Sequence, residues 1–169
     1  MSTWLSTKPI DPAQRLIVAL DVATAAEALD LVGTLGAHAG VYKIGMELLT
    51  SGDFFGLLRQ LHEQGKQVFV DLKFFDVPAT VASAVRGLSR HPATFCTIHG
   101  NDAMMRAAAQ VKGDLKLLAV TALTSLDQGD LDDLGFQCDA RTLVLSRARA
   151  ALAAGCDGVV SSGDRKSVV

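Results

Sequence analysis

The chain has 169 residues, of which 49% are hydrophobic and 20% are charged, and its 16 basic and 18 acidic side chains give a formal charge of -2. This length and composition predict one folded domain with a sizeable apolar core, and they exclude an intrinsically disordered chain. The near-neutral charge argues against a general nucleic-acid-binding protein, because affinity for the phosphate backbone needs an excess of basic side chains on one face.

The cysteines and the apolar runs indicate the compartment. Cys96, Cys138 and Cys156 are too few and too widely separated for a disulfide framework, and their spacing does not fit a zinc site. No apolar run reaches the roughly 18 residues of a membrane span, and the N-terminal residues lack the apolar region of a signal peptide. We therefore expect reduced thiols, no metal, no membrane association and a cytoplasmic location.

Short apolar runs alternate along the chain with stretches of helical periodicity. The runs are typical of strands buried on both faces, and they are Arg15–Asp21, Val41–Gly45, Gln67–Phe74, Thr94–Gly100, Leu115–Leu123 and Asp157–Ser162. The predicted helices are Ala25–Leu35, Asp53–Gly65, Val77–Arg90, Asp102–Val111 and Ala140–Ala154. Asp76 is the predicted N-cap of the third helix. We expect a polar, acidic loop over Thr124–Asp133, and a surface position for Arg147 and Arg149 on the last helix.

Six strand–helix repeats predict an α/β fold with a parallel sheet, either a doubly wound sheet or a (β/α)8 TIM barrel. The barrel is favoured because chemically reactive residues fall at the C-terminal ends of successive strands, where barrel enzymes assemble their sites. These residues are Asp21, Lys43, Asp71, Lys73, His99, Thr124 and Ser125. The first turn after a strand also lacks the glycine-rich sequence that is typical of a nucleotide-binding doubly wound sheet.

The chain is shorter than a complete barrel, which needs about 250 residues and at least roughly 200. The sequence reaches only into a sixth unit. We therefore expect a partial TIM barrel of about six βα units over residues 15–162, with an N-terminal extension over residues 1–14 and a divergent tail over residues 163–169. A truncated or frameshifted product is the interpretation that this length favours.

Four charges are predicted to meet at the mouth of the sheet. Asp71 and Lys73 are two residues apart on one strand and share a face, Lys43 lies at the same height on the preceding strand, and Asp76 follows at a helix entrance. A salt-bridge network that closes the top of the sheet is one interpretation. Because four such charges are costly to desolvate and apolar residues are usually as stabilising, a catalytic role is favoured.

The segment that contains these charges resembles a known enzyme family. Asp71-Leu-Lys73-Phe-Phe-Asp76-Val-Pro-Ala-Thr80 is similar to the signature of orotidine 5'-phosphate decarboxylases, Asp-x-Lys-x-x-Asp followed by an aliphatic residue, often proline, and threonine. Shorter matches follow the family's order at Leu20–Val22, Tyr42–Gly45, His99–Gly100 and Leu123–Ser125. The resemblance extends from about Leu16 to Ser162.

The resemblance implies decarboxylation of orotidine 5'-phosphate, a small-molecule nucleotide, to uridine 5'-phosphate in pyrimidine synthesis, without a cofactor. Lys73 is then the lysine that protonates C6 of the pyrimidine as carbon dioxide leaves. Asp71 lies beside the substrate carboxylate, and Lys43 holds Asp71 and contacts a ribose hydroxyl. An ammonium group suits this chemistry, because the carbanion at C6 needs both a fixed positive charge and a proton.

Further roles come from the same resemblance. Asp21 binds the ribose and Ser125 hydrogen-bonds the pyrimidine edge. Asp76 and Thr80 reach into the partner subunit's site, which implies a homodimer with shared active sites. His99 corresponds to a position near the ribose, although a structural role is an equal alternative for a single histidine at a strand end.

The phosphate-binding residues of the family lie after its sixth, seventh and eighth strands. Beyond Ser162 this sequence has no counterpart to them, and neither Arg165 nor Lys166 is assigned to phosphate. Because remote phosphate contacts contribute to transition-state binding, we expect the 169-residue chain by itself to be inactive or nearly so.

Two alternatives remain. A sugar-phosphate decarboxylase or aldolase of the same barrel superfamily shares the Asp-x-Lys-x-x-Asp strand but resembles the chain less at Tyr42–Gly45, where an acidic residue in place of Lys43 would favour it. The other alternative is a non-catalytic fragment that dimerises through the region of the third helix.

Overall fold

The structure is a computed structural model that describes residues 9–162. Two parts of the predicted domain layout lie outside the described residues, namely residues 1–8 of the N-terminal extension and the tail over residues 163–169, with Arg165 and Lys166. Within the predicted extension, Pro12–Arg15 form one helical turn, and the side chain of Asp11 caps it by accepting a hydrogen bond from the Ala13 N–H.

One or two helices lie between successive strands in the described residues. The helices are α1 (Pro12–Arg15), α2 (Ala25–Leu35), α3 (Met46–Thr50), α4 (Phe54–Glu63), α5 (Pro78–Leu88), α6 (Asp102–Ala109), α7 (Gln128–Asp133) and α8 (Ala140–Ala154). The strands are β1 (Ile17–Ala19), β2 (Val41–Gly45), β3 (Gln67–Phe74), β4 (Phe95–His99), β5 (Lys116–Val120) and β6 (Gly158–Val160). None of the helices over residues 9–162 is long and apolar enough to cross a membrane.

The strands form one sheet in the order β1-β2-β3-β4-β5-β6. The pairs β1–β2, β2–β3 and β5–β6 are parallel, with Ala19 opposite Lys43 and Gly45 opposite Asp71. In a (β/α)8 barrel each strand neighbours the next in this way, whereas the order reverses in a doubly wound sheet. The predicted α/β fold, a partial TIM barrel with six strands, is confirmed.

The chain divides into two compact units. Within the described residues, the first contains residues 9–72 together with Ser89–Phe95, and the second contains Lys73–Leu88 together with residues 96–162. Fully buried apolar side chains form the core of each unit. In the first they include Tyr42, Ile44, Leu57, Leu58, Leu61 and Val70, and in the second they include Val85, Ile98, Met105, Leu117 and Leu131.

Side-chain caps explain why several helices begin and end where the sequence predicts. Thr24 caps α2, Asp53 caps α4 and Asp139 caps α8, each through a side-chain oxygen that accepts a backbone N–H in the first turn. The predicted bounds of α2 and α8 match the structure. At the end of α8, Gly155 adopts φ 92°, a left-handed conformation that glycine reaches without a steric penalty.

The structure differs from the sequence prediction in the segment expected to be a loop over Thr124–Asp133. Its second half is the helix α7, because Asp127 and Asp130 form a capping box in which each carboxylate accepts the other residue's backbone N–H. The acidic residues that suggested a solvated loop therefore start a helix. The helix α3 was also not predicted.

The third predicted helix begins later than expected. Its first residue is Pro78, so Val77 occupies the N-cap position that was predicted for Asp76. Proline suits the first helical position, since its missing N–H would have no partner in the helix. The carboxylate of Asp76 accepts the Val77 N–H at 2.6 Å and so fixes the turn just before the helix.

The thiols differ in accessibility. Cys96 and Cys156 are buried, whereas Cys138 is partly exposed. Burial, reinforced by the charge of Asp157 and opposed by that of Lys112, raises the pKa of Cys156 to about 11. Because the thiolate is the reactive form, iodoacetamide at about pH 8 is expected to alkylate Cys138 alone in the folded protein and all three thiols in urea. Mass spectrometry of the alkylated protein checks this, and rapid labelling of Cys156 without urea would contradict it.

Candidate active site

Three charged side chains from the first three strand regions meet toward the C-terminal side of the sheet. The Lys43 ammonium lies 3.5 Å from Asp21 Oδ1 and 3.6 Å from Asp71 Oδ2. Lys43 was expected at the height of Asp71, but the register places it opposite Phe69, two residues earlier on β3, so the long lysine side chain spans this offset to reach Asp71. The Leu20 N–H donates to the Lys43 carbonyl at 2.9 Å and brings Asp21 next to Lys43. We call Asp21, Lys43 and Asp71 the carboxylate–lysine cluster. The structure therefore brings together three of the residues that the sequence selected.

Burial is unequal within the carboxylate–lysine cluster. The side chain of Asp71 is 12% exposed, that of Lys43 is 24% exposed and that of Asp21 is 65% exposed. An exposed ion pair contributes about 0–1 kcal/mol, while a partly buried carboxylate depends more strongly on its cation. Lys43 pairs with both carboxylates and donates a hydrogen bond to Asp21 Oδ1 at 3.5 Å, and the more exposed Asp21 remains available to a ligand.

Lys73 has an unusual backbone. It lies near the end of β3, and its φ of 49° makes it the one non-glycine residue with a positive φ between residues 9 and 162. This left-handed conformation costs an ordinary residue about 1–2 kcal/mol. The Lys73 N–H donates to Thr97 Oγ1 at 2.9 Å, and Thr97 is fully buried on β4.

The backbone at Lys73 differs from the extended strand conformation that the sequence predicts. Asp71 and Lys73 were expected to share a face because side chains alternate along an extended strand. A positive φ interrupts that alternation at Lys73. Strand periodicity therefore does not set the direction of the Lys73 side chain, and the local backbone conformation sets it instead.

The positive charge of Lys73 acts on a histidine in the same unit. Burial, followed by the charges of Arg147 and Lys73, lowers the pKa of His99 from its ordinary value of 6.5. The ring of Phe75 lies against the His99 imidazole, with 4.6 Å between ring centroids. His99 is therefore neutral at pH 7 and adds no positive charge beside Lys73.

The lowered pKa of His99 predicts how the stability of the protein changes with pH. Between the lowered pKa and 6.5 the unfolded chain binds more protons than the folded chain, so the free energy of unfolding falls as the pH drops through this window. Urea unfolding of the wild type and of His99→Gln at about pH 7.5 and 5.5 is expected to show a smaller loss in the variant. His62→Gln, at an exposed position, is the matched control. A variant that loses as much stability as the wild type would contradict the prediction.

A cavity of about 340 Å³ lies beside His99. Its walls are mostly apolar, and Phe75, Asn101, Leu123, Leu126, Phe136 and Arg147 are among the lining residues. Arg147, predicted to be at the surface, is half-buried instead, because its guanidinium donates to the Thr121 carbonyl at 2.8 Å and lies 5.3 Å from the Phe136 ring centroid. No sequence pattern indicates this half-buried position.

The other predicted site residues are exposed and make local contacts. Asp76 bonds its neighbouring N–H, and the Thr80 N–H donates to the Val77 carbonyl in the first turn of α5. Ser125 lies in a turn that the Leu126 N–H closes onto the Leu123 carbonyl at 3.2 Å. Their side chains are open to a ligand or a second chain. Across the described residues, no group of three His, Cys, Asp or Glu side chains is arranged to hold a metal ion.

Comparison with known sequences gives consistent matches. The chain matches the family described as Orotidine 5'-phosphate decarboxylase / HUMPS over residues 14–168. It is 63% identical over 163 residues to an orotidine 5'-phosphate decarboxylase of Methylococcus capsulatus, covering 96% of this chain and 67% of that protein. An orotidine 5'-phosphate decarboxylase of Xanthomonas campestris pv. campestris is 49% identical, with 95% and 67% covered. The chain spans about two thirds of the length of these relatives.

Solved structures match as well. The crystal structure of orotidine 5'-phosphate decarboxylase from Lactobacillus acidophilus superposes with a TM-score of 0.81 at 32% identity, covering 87% of this chain and 70% of that one. An uncharacterized conserved protein from Geobacillus kaustophilus gives a TM-score of 0.83 at 32% identity, with 88% and 74% covered. Both matches extend over most of the described strands and helices.

Proposed function

The chain belongs to the orotidine 5'-phosphate decarboxylase / HUMPS family, and we propose that it carries the catalytic residues for decarboxylation of orotidine 5'-phosphate to uridine 5'-phosphate. The resemblance inferred from the Asp71–Thr80 segment is thereby confirmed at the level of the family. The observation that supports this reaction most directly is the carboxylate–lysine cluster. Its Asp71 lies two residues before Lys73 in the sequence of β3. This arrangement of Lys43 with two carboxylates favours the decarboxylase over the sugar-phosphate alternative.

The proposed chemistry uses side chains alone. The bond between C6 and the carboxylate breaks, the electron pair remains on C6, and carbon dioxide leaves. The Lys73 ammonium then transfers a proton to C6 and ends as a neutral amine. Asp71 lies beside the departing carboxylate, and Lys43 fixes Asp71 at 3.6 Å. A preorganised cation stabilises the charge that develops on C6 without reorganisation of solvent.

Substrate binding and assembly are further parts of the proposal. Asp21, which is 65% exposed, binds ribose hydroxyls together with Lys43. Ser125 bonds the pyrimidine edge from its exposed turn. Asp76 and Thr80 extend into the site of a second copy, so the enzyme is a homodimer with shared active sites. A cytoplasmic location suits the three free thiols of this enzyme.

We further propose that the 169-residue chain assayed by itself turns over substrate poorly. The family's phosphate-binding residues follow its sixth strand, and contacts remote from the reacting carbon lower the barrier through the binding energy they supply. Turnover is expected to rise by about 100-fold or more when the part of the Methylococcus capsulatus relative that this chain does not match is added.

Two measurements test the function. The loss of orotidine 5'-phosphate absorbance is followed with the chain alone and with the added segment, and calorimetry measures binding of 6-azauridine 5'-phosphate to the wild type and to Lys73→Ala. Turnover that needs the added segment supports both proposals. Robust turnover by the chain alone would refute the proposed inactivity. Turnover of a sugar phosphate, with none of orotidine 5'-phosphate, would refute the proposed reaction.

A further inference from the structure

Thr97 is a polar residue with apolar neighbours in the core. It lies in the middle of β4 between Cys96 and Ile98, and all three are fully buried. Thr97 and Thr121 are the two buried threonines of the described residues. Strand positions of this kind favour valine, and a buried hydroxyl is unfavourable unless it forms a hydrogen bond. The hydroxyl at position 97 therefore needs a specific explanation.

The hydrogen bond of Thr97 supplies that explanation. Its Oγ1 accepts the Lys73 backbone N–H at 2.9 Å. In a regular parallel ladder a strand N–H donates to a backbone carbonyl of the neighbouring strand. Here a side-chain oxygen accepts it, at the residue whose φ of 49° departs from the strand conformation.

Fixing this N–H orients the peptide plane from which Lys73 projects. The φ angle describes rotation about the bond between the backbone nitrogen and Cα, so a given φ and a fixed N–H direction together determine where Cβ points. Lysine has no side-chain group that stabilises the left-handed conformation locally, as asparagine and aspartate can. The surrounding structure must therefore hold Lys73 in place.

We propose that Thr97 is a positioning residue for Lys73, holding its backbone in the left-handed conformation that aims the amine at the reacting carbon. Thr97 acts through Lys73 and does not itself touch the substrate. The catalytic meaning of this inference rests on the proposed function, whereas the coupling of the Thr97 hydroxyl to the Lys73 backbone does not.

Nuclear magnetic resonance on the full labelled chain tests the coupling without any need for activity. Thr97→Val removes the acceptor, and Thr97→Ser is the matched control that keeps it. In Thr97→Val we expect hydrogen exchange of the Lys73 amide to accelerate about 10-fold or more relative to the Gly100 amide, which donates to the Val120 carbonyl in the same unit. The Lys73 Cα and Cβ shifts, which report φ, are expected to move in Thr97→Val and to return in Thr97→Ser.

Several outcomes would overturn the proposal. One is a Thr97→Val spectrum in which the Lys73 shifts and relative exchange are unchanged, and another is a Thr97→Ser variant that behaves like Thr97→Val. Should the valine variant fail to fold, the wild type still decides, because an unprotected Lys73 amide beside a protected Gly100 amide rules out the bond.

A kinetic measurement connects the coupling to catalysis. In the assay with the added segment, Thr97→Val is expected to lower kcat by about 10-fold or more with little change in KM. A displaced amine reduces the stabilisation of the transition state more than it reduces the affinity for substrate. Thr97→Ser is expected to restore kcat.

If Lys73→Ala keeps full activity while the Thr97→Val spectrum changes as expected, the proposed function fails and the coupling remains. If Lys73→Ala is inactive while Thr97→Val has a normal kcat, the positioning role fails.

Discussion

Replacing Lys73 by alanine is expected to lower kcat for decarboxylation by about 1,000-fold or more. The variant loses both the proton donor and the fixed positive charge at C6, and general acid catalysis alone contributes about 100- to 10,000-fold. The measurement is turnover of orotidine 5'-phosphate by the chain with the segment of the Methylococcus capsulatus relative added, compared between wild type and variant.

Lys73→Arg separates the two roles of the lysine. Arginine keeps a positive charge, but its pKa is too high for it to deliver a proton readily. We expect Lys73→Arg to remain at least about 100-fold slower than wild type. If Lys73→Arg had nearly wild-type turnover, charge alone would be sufficient and the proposed proton transfer would be wrong.

The second large effect is expected at Lys43. Lys43→Met retains the aliphatic length but leaves Asp71, 12% exposed, without the ammonium 3.6 Å away, and leaves Asp21 without its pair. Removing one partner of a fully buried pair costs about 3–5 kcal/mol. Because Lys43 is 24% exposed and Asp21 is 65% exposed, solvent screening reduces the expected cost to about 2 kcal/mol, measured by urea unfolding at pH 7.

The control is Asp21→Asn, which removes the exposed carboxylate and is expected to change the free energy of unfolding by less than about 1 kcal/mol. Equal costs for Lys43→Met and Asp21→Asn would mean that burial of Asp71 does not set the energetics of the carboxylate–lysine cluster.

Much of the fold can be predicted from the sequence because its local signals agree with each other. The bounds of β2, β3, α2 and α8 follow from apolar runs, side-chain caps and a closing glycine. The meeting of Lys43 with Asp71 was also predictable, because the residues at the ends of parallel strands lie at one edge of the sheet. The position of Asp21 beside Lys43 follows from the same rule.

Other features depend on interactions that strand and helix periodicity do not encode. The Lys73 N–H bonds a hydroxyl 24 residues away on another strand, and no local pattern indicates this bond or the positive φ. The half-buried position of Arg147 depends on a carbonyl and an aromatic ring far along the chain. In α7, acidic residues that are typical of a loop act as caps, so composition alone favoured the wrong assignment.

The left-handed backbone at position 73 implies a trade-off between folding stability and catalytic activity. Selection for folding stability alone would place glycine there, since glycine reaches this conformation without a steric penalty. Keeping an amine at this position retains strain that a more robust protein would discard, as is common at functional sites. Engineering this scaffold for heat tolerance should therefore leave residue 73 and its hydroxyl partner alone and seek its gains elsewhere.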